Sequence, residues 1–181
     1  MFRPRGIRRL RLQNKKGLIM EIRDYERTPY EARLDITYAI TLHRLTENFY
    51  KRLDTVFAFL SVLSGAAILT ATFGDSEKFL TLFAFVAACT GILSFVIRPA
   101  EKYALHEVWR NKYTDLLALI EGKKLVGLDV IESELRTLQG QAPSAICALE
   151  PIAYNRNLAS HGRPDFQIVE NWWNKAIGFL A

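Results

Sequence analysis

The sequence predicts an all-α membrane protein. Two long helices form a transmembrane hairpin with cytosolic extensions, and a cytosolic helical tail follows. Three observations carry that prediction. First, residues 55–74 (TVFAFLSVLSGAAILTATFG) and 79–97 (FLTLFAFVAACTGILSFVI) contain no Asp, Glu, Lys, Arg or His. At ~1.5 Å per residue each block spans roughly 30 Å, the thickness of a bilayer's hydrocarbon. Second, a soluble helix of that length shows a charged face every turn or so, and neither block does. Their polar side chains are mostly Ser and Thr hydroxyls, which can bond back to their own helix's carbonyls. Third, cations flank the pair on one side. Arg44, Lys51 and Arg52 precede it, and Arg98, Lys102 and Arg110 follow it. The connector Gly-Asp-Ser-Glu-Lys carries one Lys against two acids. The positive-inside rule then puts both termini in the cytoplasm and the short turn outside.

Transfer energies point the same way. Leu, Ile, Phe and Val supply nine residues of the first block and eleven of the second. Each contributes roughly −0.3 to −0.6 kcal/mol at mid-span, and one central Lys would cost about +3 kcal/mol. The competing reading is a buried hairpin inside a soluble oligomer. The uncharged faces disfavour it.

The 181 residues fit one domain with a membrane part. The net charge of +5 is uneven: residues 1–54 hold 13 Lys/Arg against 7 Asp/Glu, whereas residues 98–181 hold 10 against 10. A basic arm suits nucleic acid or an anionic membrane face. The apolar block beside it favours the membrane. Cys89 and Cys147 are too far apart in context to suggest a disulfide framework, which points to a reducing compartment. The first residues, MFRPRGIRRLRLQNKK, have charge but no apolar run behind it, so no secretory signal is expected.

Taken in order, residues 1–27 form a basic cytosolic arm. Within it LRLQ-NKKG-LIMEI alternates around a turn signal, which suits a small β-hairpin or a solvated arm about equally. Thr28-Pro29-Tyr30-Glu31 starts a helix: a hydroxyl cap, Pro at the first helical position, and Glu three residues after the cap. One helix is expected from about residue 29 to about 73, made of a stalk (28–54) and the first span (55–74). Tyr38, Leu42, Leu45, Phe49 and Val56 share a stripe on it. Ser76 can cap the return helix, which holds the second span (79–97).

A kink or a break is expected at Arg98-Pro99, with Pro99 as a hinge at the membrane surface. Beyond it, in the cytosolic region 98–181, Leu105, Trp109, Tyr113, Leu116 and Ile120 form another stripe. This second stalk can pack on the first, and Gly122 ends it. Further helices are expected over Asp129 to Leu138, stopped by Gly140, and over Ser144 to His161, with Pro151 as a kink. A last helix is expected over DFQIVENWWNKAIGFLA, with Phe166, Val169, Trp173, Ala176 and Leu180 on one side.

Sites of chemistry are few. His43, His106 and His161 lie on different elements, and no metal-ligand spacing, phosphate loop or nucleophile motif occurs. No enzyme activity, metal or cofactor is expected. The pair Ser160-His161 reads better as a helix C-terminus than as a nucleophile and base. Arg156, Asn157, His161 and Arg163 are the candidate anion-binding residues, where Arg and His can meet a phosphate. The plainer account is that cations near a helix C-terminus favour its dipole. Arg3, Arg5, Arg8, Arg9, Arg11, Lys15 and Lys16 suit anionic lipid or nucleic acid, and topology enforcement explains them better. Trp172-Trp173 suits a bilayer interface or the plug of a helical core, and the core reading is favoured.

The spans carry a packing signal. Ser61 and Gly65 are four residues apart, as are Ala67 and Ala71, Ala84 and Ala88, and Ala87 and Gly91. Small residues at that spacing let membrane helices approach closely. They can serve a homo-oligomer, or only the hairpin itself. Two helices alone enclose no pore, so any permeation requires oligomers.

The layout resembles the SLATT superfamily of bacterial two-span effectors. The matching features are the pre-span helix TPYEARLDITYAITLHRLTENFYKRL, the tight two-span hairpin and the stalk AEKYALHEVWRNKYTDLLALIEG. The later helix APSAICALEPIAYNRNLASHG also looks like the family's. The resemblance covers about residues 29–162 and is one of layout. It implies antiphage defence: an inner-membrane effector paired with a sensor such as a nucleotidyltransferase-type partner encoded nearby. A nucleotide or oligonucleotide messenger then triggers oligomers that permeabilise the lipid bilayer and stop growth. Two other functions suit the same layout: a membrane-anchored scaffold or adaptor, and a holin-like phage protein. The last typically has a smaller cytosolic tail.

Overall fold

The computed structural model describes residues 11–13, 19–21, 28–73, 77–122 and 127–181. Most of the basic arm, its turn at residues 14–17, and Ser76 lie outside them. Within the arm, β1 (Arg11–Gln13) and β2 (Ile19–Glu21) pair antiparallel, with Leu12 opposite Met20. The other regular elements of the described chain are all helical.

Helix α1 (Pro29–Phe73) runs unbroken for 45 residues. Its start is a capping box: the Glu31 amide donates to Thr28 Oγ1 at 3.3 Å, and the Thr28 amide donates to Glu31 Oε2 at 2.8 Å. Helix α2 (Glu77–Ile97) returns beside its second half. Both α1 and the α2–α3 stretch contain segments long and apolar enough to cross a membrane, and only 11% and 6% of those segments are buried within the fold. Phe59, Phe85 and Phe95 are 65%, 67% and 74% exposed, so the apolar side chains face outward.

Helix α3 (Pro99–Glu121) follows after a break, not a kink. Arg98 sits between the two helices in the left-handed conformation, with φ at 50°. The ring of Pro99 cannot donate a backbone hydrogen bond, and it restricts the residue before it, so helix α2 ends there. Helix α3 lies antiparallel to the first half of α1. Arg33 meets Glu121 at 2.6 Å at one end, and Lys102 lies over the Tyr50 ring at the other.

Helix α4 (Leu128–Gln141) is longer than its sequence reading. Gly140 lies inside it. The stop comes from Pro143, which holds Ala142 extended. A segment read as one helix over Ser144 to His161 is three pieces. Residues 142–146 are irregular, a 3-10 turn covers Cys147–Leu149, and helix α5 is Glu150–Ser160. Pro151 sits in the first turn of α5, where its missing N–H costs nothing, and so it causes no kink.

The last segment also divides. A 3-10 turn spans Pro164–Phe166, extended chain follows, and helix α6 is only Trp172–Phe179. Asn171 supplies the start signal. Its side chain accepts from the Asn174 amide at 2.7 Å, and the Asn174 side chain accepts from the Asn171 amide at 3.0 Å. The expected stripe from Phe166 to Leu180 therefore does not exist. Phe166 and Val169 lie outside the helix, and both are exposed.

Two small cores flank the first half of α1. Ile36, Trp109, Tyr113, Leu116, Ile131, Leu135 and Leu138 join α1, α3 and α4. Leu45, Leu149, Ile152, Ala153 and Ala181 join α1, α5 and the C-terminus, with Tyr38, Leu42 and Phe49 packed against them. The Tyr38–Phe49 stripe thus meets α5 and α6, not α3. Val56 is 47% exposed and belongs to neither core.

Between the cores runs the α1–α3 seam. Its α1 positions recur every seventh residue: Ile36, His43, Tyr50, then Phe57 and Ser64 against α2. On α3 the matching series is Pro99, His106, Tyr113. A seven-residue repeat is the period of a coiled-coil seam. Here many of its members are polar.

Candidate functional site

The polar seam is the most organised side-chain cluster outside the apolar arm. His43 and His106 are 4% and 2% exposed, and their Nδ1 atoms lie 2.9 Å apart. One ring nitrogen must therefore donate and the other accept. Tyr113 stacks on His43 with centroids 5.5 Å apart, and Tyr50 stacks on His106 at 6.0 Å. Four rings thus form a column across the two stalks. Burial, and then the neighbouring His106, push the His43 pKa down to about 4. Burial, and then the Lys102 ammonium, lower that of His106. Burial raises the Tyr113 hydroxyl. Beside the column, Arg110 Nε donates to Glu47 Oε2 at 2.8 Å, a second polar tie between the stalks. A cleft of about 400 Å³ reaches His43 and Tyr113 from outside, with Asp35 and Glu150 in its wall.

A second cleft, of about 440 Å³, lies between α1 and α5. Tyr38, Tyr154 and Phe166 supply its aromatic wall, and Asp35, Asn157 and Arg163 its polar groups. Burial, and then Glu150, raise the Tyr38 hydroxyl. Asn157 Nδ2 donates to the Leu34 carbonyl at 3.0 Å and pins α5 to α1. Asn157 Oδ1 is buried and finds no hydrogen-bond partner among the described residues. The Arg163 guanidinium stands 4.9 Å from the Phe166 ring centroid.

The four anion candidates thus do not converge. Asn157 and Arg163 share the cleft. His161 points instead to the start of α1, where its Nε2 is 3.0 Å from Thr37 Oγ1 and Tyr30 meets it edge-on. Arg156 is exposed and is not part of the cleft wall. Ser160 Oγ donates to the Asn157 carbonyl, not to His161, so it is held as a helix-end hydroxyl.

In the apolar arm, among the residues whose burial is described, Ser64 (2% exposed), Thr90 (4%) and Phe57 (9%) are the buried ones. Sequence reasoning missed all three; the seven-residue spacing of Phe57 and Ser64 was the available signal. Ser61, Gly65, Ala84, Ala88 and Gly91 face outward. A methyl group added at Gly65 or Gly91 would meet nothing within 4 Å. Ala67 and Ala87 are half-buried. Ala71 belongs to α1 near its end. Small residues are therefore split between the hairpin's own contact and its outer surface.

Among the described residues no group of three or more His, Cys, Asp or Glu could hold a metal ion. Cys89 and Cys147 are both free. No protein-family model matches the chain, and no curated protein or solved structure matches it either.

Proposed function

We propose that this chain is a two-span effector of the bacterial inner membrane that serves antiphage defence. A cytosolic signal, either a nucleotide-type messenger or a partner protein, reaches the stalk unit. The apolar arms of several copies then repack and permeabilise the bilayer. The observation that carries this reading is the outward face of small residues, Ser61 and Gly65 on α1 with Ala84, Ala88 and Gly91 on α2. The hairpin leaves most of that face open, so a second copy can approach closely along it. The α1–α5 cleft, with Asn157 and Arg163 beside aromatic walls, is the receiver the reading favours. A signal shifts such an equilibrium only through different contacts in the two states.

The test is inducible expression with a membrane-potential dye, with and without the neighbouring genes. Collapse of the potential on release from a neighbour's control supports the effector. Gly65→Leu and Ala88→Leu should abolish toxicity while leaving insertion intact. Normal toxicity in both, at equal membrane levels, removes packing control from the reading.

One observation favours a second reading, that of a membrane-anchored adaptor. Leu119 and Val130 are 41% and 61% exposed beside a cleft between α3 and α4. An adaptor would keep its function when residues 55–97 are replaced by an unrelated membrane hairpin, which leaves both stalks in place, and an effector would lose it.

A further inference from the structure

The C-terminal helix presents its large aromatic residues to the outside. Trp172, Trp173 and Phe179 are 77%, 52% and 83% exposed, so the pair plugs no core. The reason lies in how α6 docks. Asn174, Ile177, Gly178 and Ala181 follow the i, i+3, i+4, i+7 spacing of one helical face. That face is used. Asn174 Nδ2 donates to the Ala148 carbonyl at 2.8 Å, and Ile177 and Ala181 join the core around Leu45. Gly178 lies so close to Ile152 that an added methyl group would collide with it. On a 100° helical wheel, Trp172, Lys175, Ala176 and Phe179 fall on the opposite arc, with Trp173 and Leu180 at its edge.

The position of α6 gives that arc a meaning. Arg52 Nη1 donates to the Phe179 carbonyl at 2.7 Å. Arg52 lies three residues before Thr55, the first residue of the uncharged block, a rise of about 4.5 Å along the helix. The end of α6 is therefore held within one side chain's reach of the last turn before the apolar arm. Lys51, Arg98 and Lys102 belong to the same zone of the chain, alongside the acids Asp54 and Glu101. Aromatic rings with adjacent cations suit the headgroup level of a bilayer, where rings meet acyl chains and cations meet phosphates.

We infer that α6 is an interfacial anchor. Trp172, Trp173 and Phe179 seat in the headgroup–acyl boundary of the leaflet adjoining the stalks, and Arg52 fixes their depth. This rests on the membrane reading of the hairpin, and it adds a third point of contact with lipid. It also links the stalk unit to the bilayer surface through α6, so the unit is held against the membrane and not only suspended from the spans.

The experiment uses the full chain reconstituted in phosphatidylcholine–phosphatidylglycerol vesicles. These contain lipid brominated either near the headgroup or near the acyl terminus. Trp109 is buried between the stalks, so a Trp172→Phe/Trp173→Phe variant supplies the background to subtract. Helical content by circular dichroism checks that the variant folds. The fluorescence owed to Trp172 and Trp173 should be quenched about twofold more by the shallow bromine than by the deep one. A Phe85→Trp probe in the same background reports the mid-span and should show the reverse order. If Phe85→Trp is quenched and Trp172 and Trp173 are not, the interfacial anchor is overturned while the membrane hairpin stands. A second copy or a partner covering the pair would give that same result. If neither is quenched, both readings fall.

Discussion

Acid should loosen the stalks, and the buried histidine pair sets the amount. The perturbation is a fall in pH from 7 to 5. In the unfolded chain an imidazole takes up its proton near pH 6.5. In the fold, burial and His106 hold His43 neutral until about pH 4. Stability is therefore full above pH 6.5 and is lost as pH falls through the window from 6.5 toward 4, because the unfolded state binds the proton first. The full linkage slope is about 1.4 kcal/mol per pH unit, and solvent screening and the bond to His106 reduce it, so the loss is on the order of 1–2 kcal/mol by pH 5. His106 shifts in the same direction and adds to it. The charged neighbours act in both senses: Lys102 opposes a further proton, while the carboxylates Asp35 and Glu150 in the adjacent cleft favour one. Denaturant unfolding of the detergent-solubilised chain, followed by Trp109 fluorescence in the Trp172→Phe/Trp173→Phe background, reads the loss. His43→Asn keeps an amide near the place of Nδ1 and removes the titration, so it should flatten the slope between pH 6.5 and 5. Histidine nitrogen NMR assigns the group directly. A His43 that titrates between pH 6 and 7 in the folded chain, or an unchanged slope in His43→Asn, would refute the reasoning.

Three further outcomes follow from the packing. Leu135→Ala empties a fully buried site between α4 and the stalks, and should cost about 2–5 kcal/mol in denaturant unfolding. Gly178→Ala sets a methyl group against the end of the buried Ile152 side chain, which must turn away, while alanine favours the helix; the α6 contact should weaken by about 1 kcal/mol, read as faster hydrogen exchange in residues 172–181. For Glu47 and Arg110, whose side chains are 14% and 28% exposed, a double-mutant cycle with Ala should return a coupling of about 1 kcal/mol. No coupling there would mean that this ion pair adds nothing to the core packing and ring contacts that hold the seam.

Much of the helical layout was legible in the chain because its signals are local. Thr28, Pro29 and Glu31 sit within one turn and make the cap unaided. Pro99 and Gly122 end helices by backbone chemistry that needs no partner. The misread elements share a cause. Pro151 reads as a kink until Glu150 is seen to begin the helix, which turns it into a first-turn proline. Gly140 reads as a stop, but α4 runs on to Gln141 and ends only where Pro143 holds Ala142 extended. The anion candidates were close in sequence, yet a helix sends Arg156 and Asn157 to different sides, and only Asn157 and Arg163 meet. The seam was hidden because His43, His106 and Ser64 occupy buried positions where a pattern of apolar residues is sought.

The sequence by itself determined that two helices of this chain favour an apolar solvent over water. That preference is a sum over residues and does not depend on how they are arranged. Tertiary structure alone decided what each face meets. It placed His43 against His106 across 63 positions of chain, and Phe179 beside Arg52 across 127. Such contacts depend on the whole path of the backbone, and no local spacing encodes them.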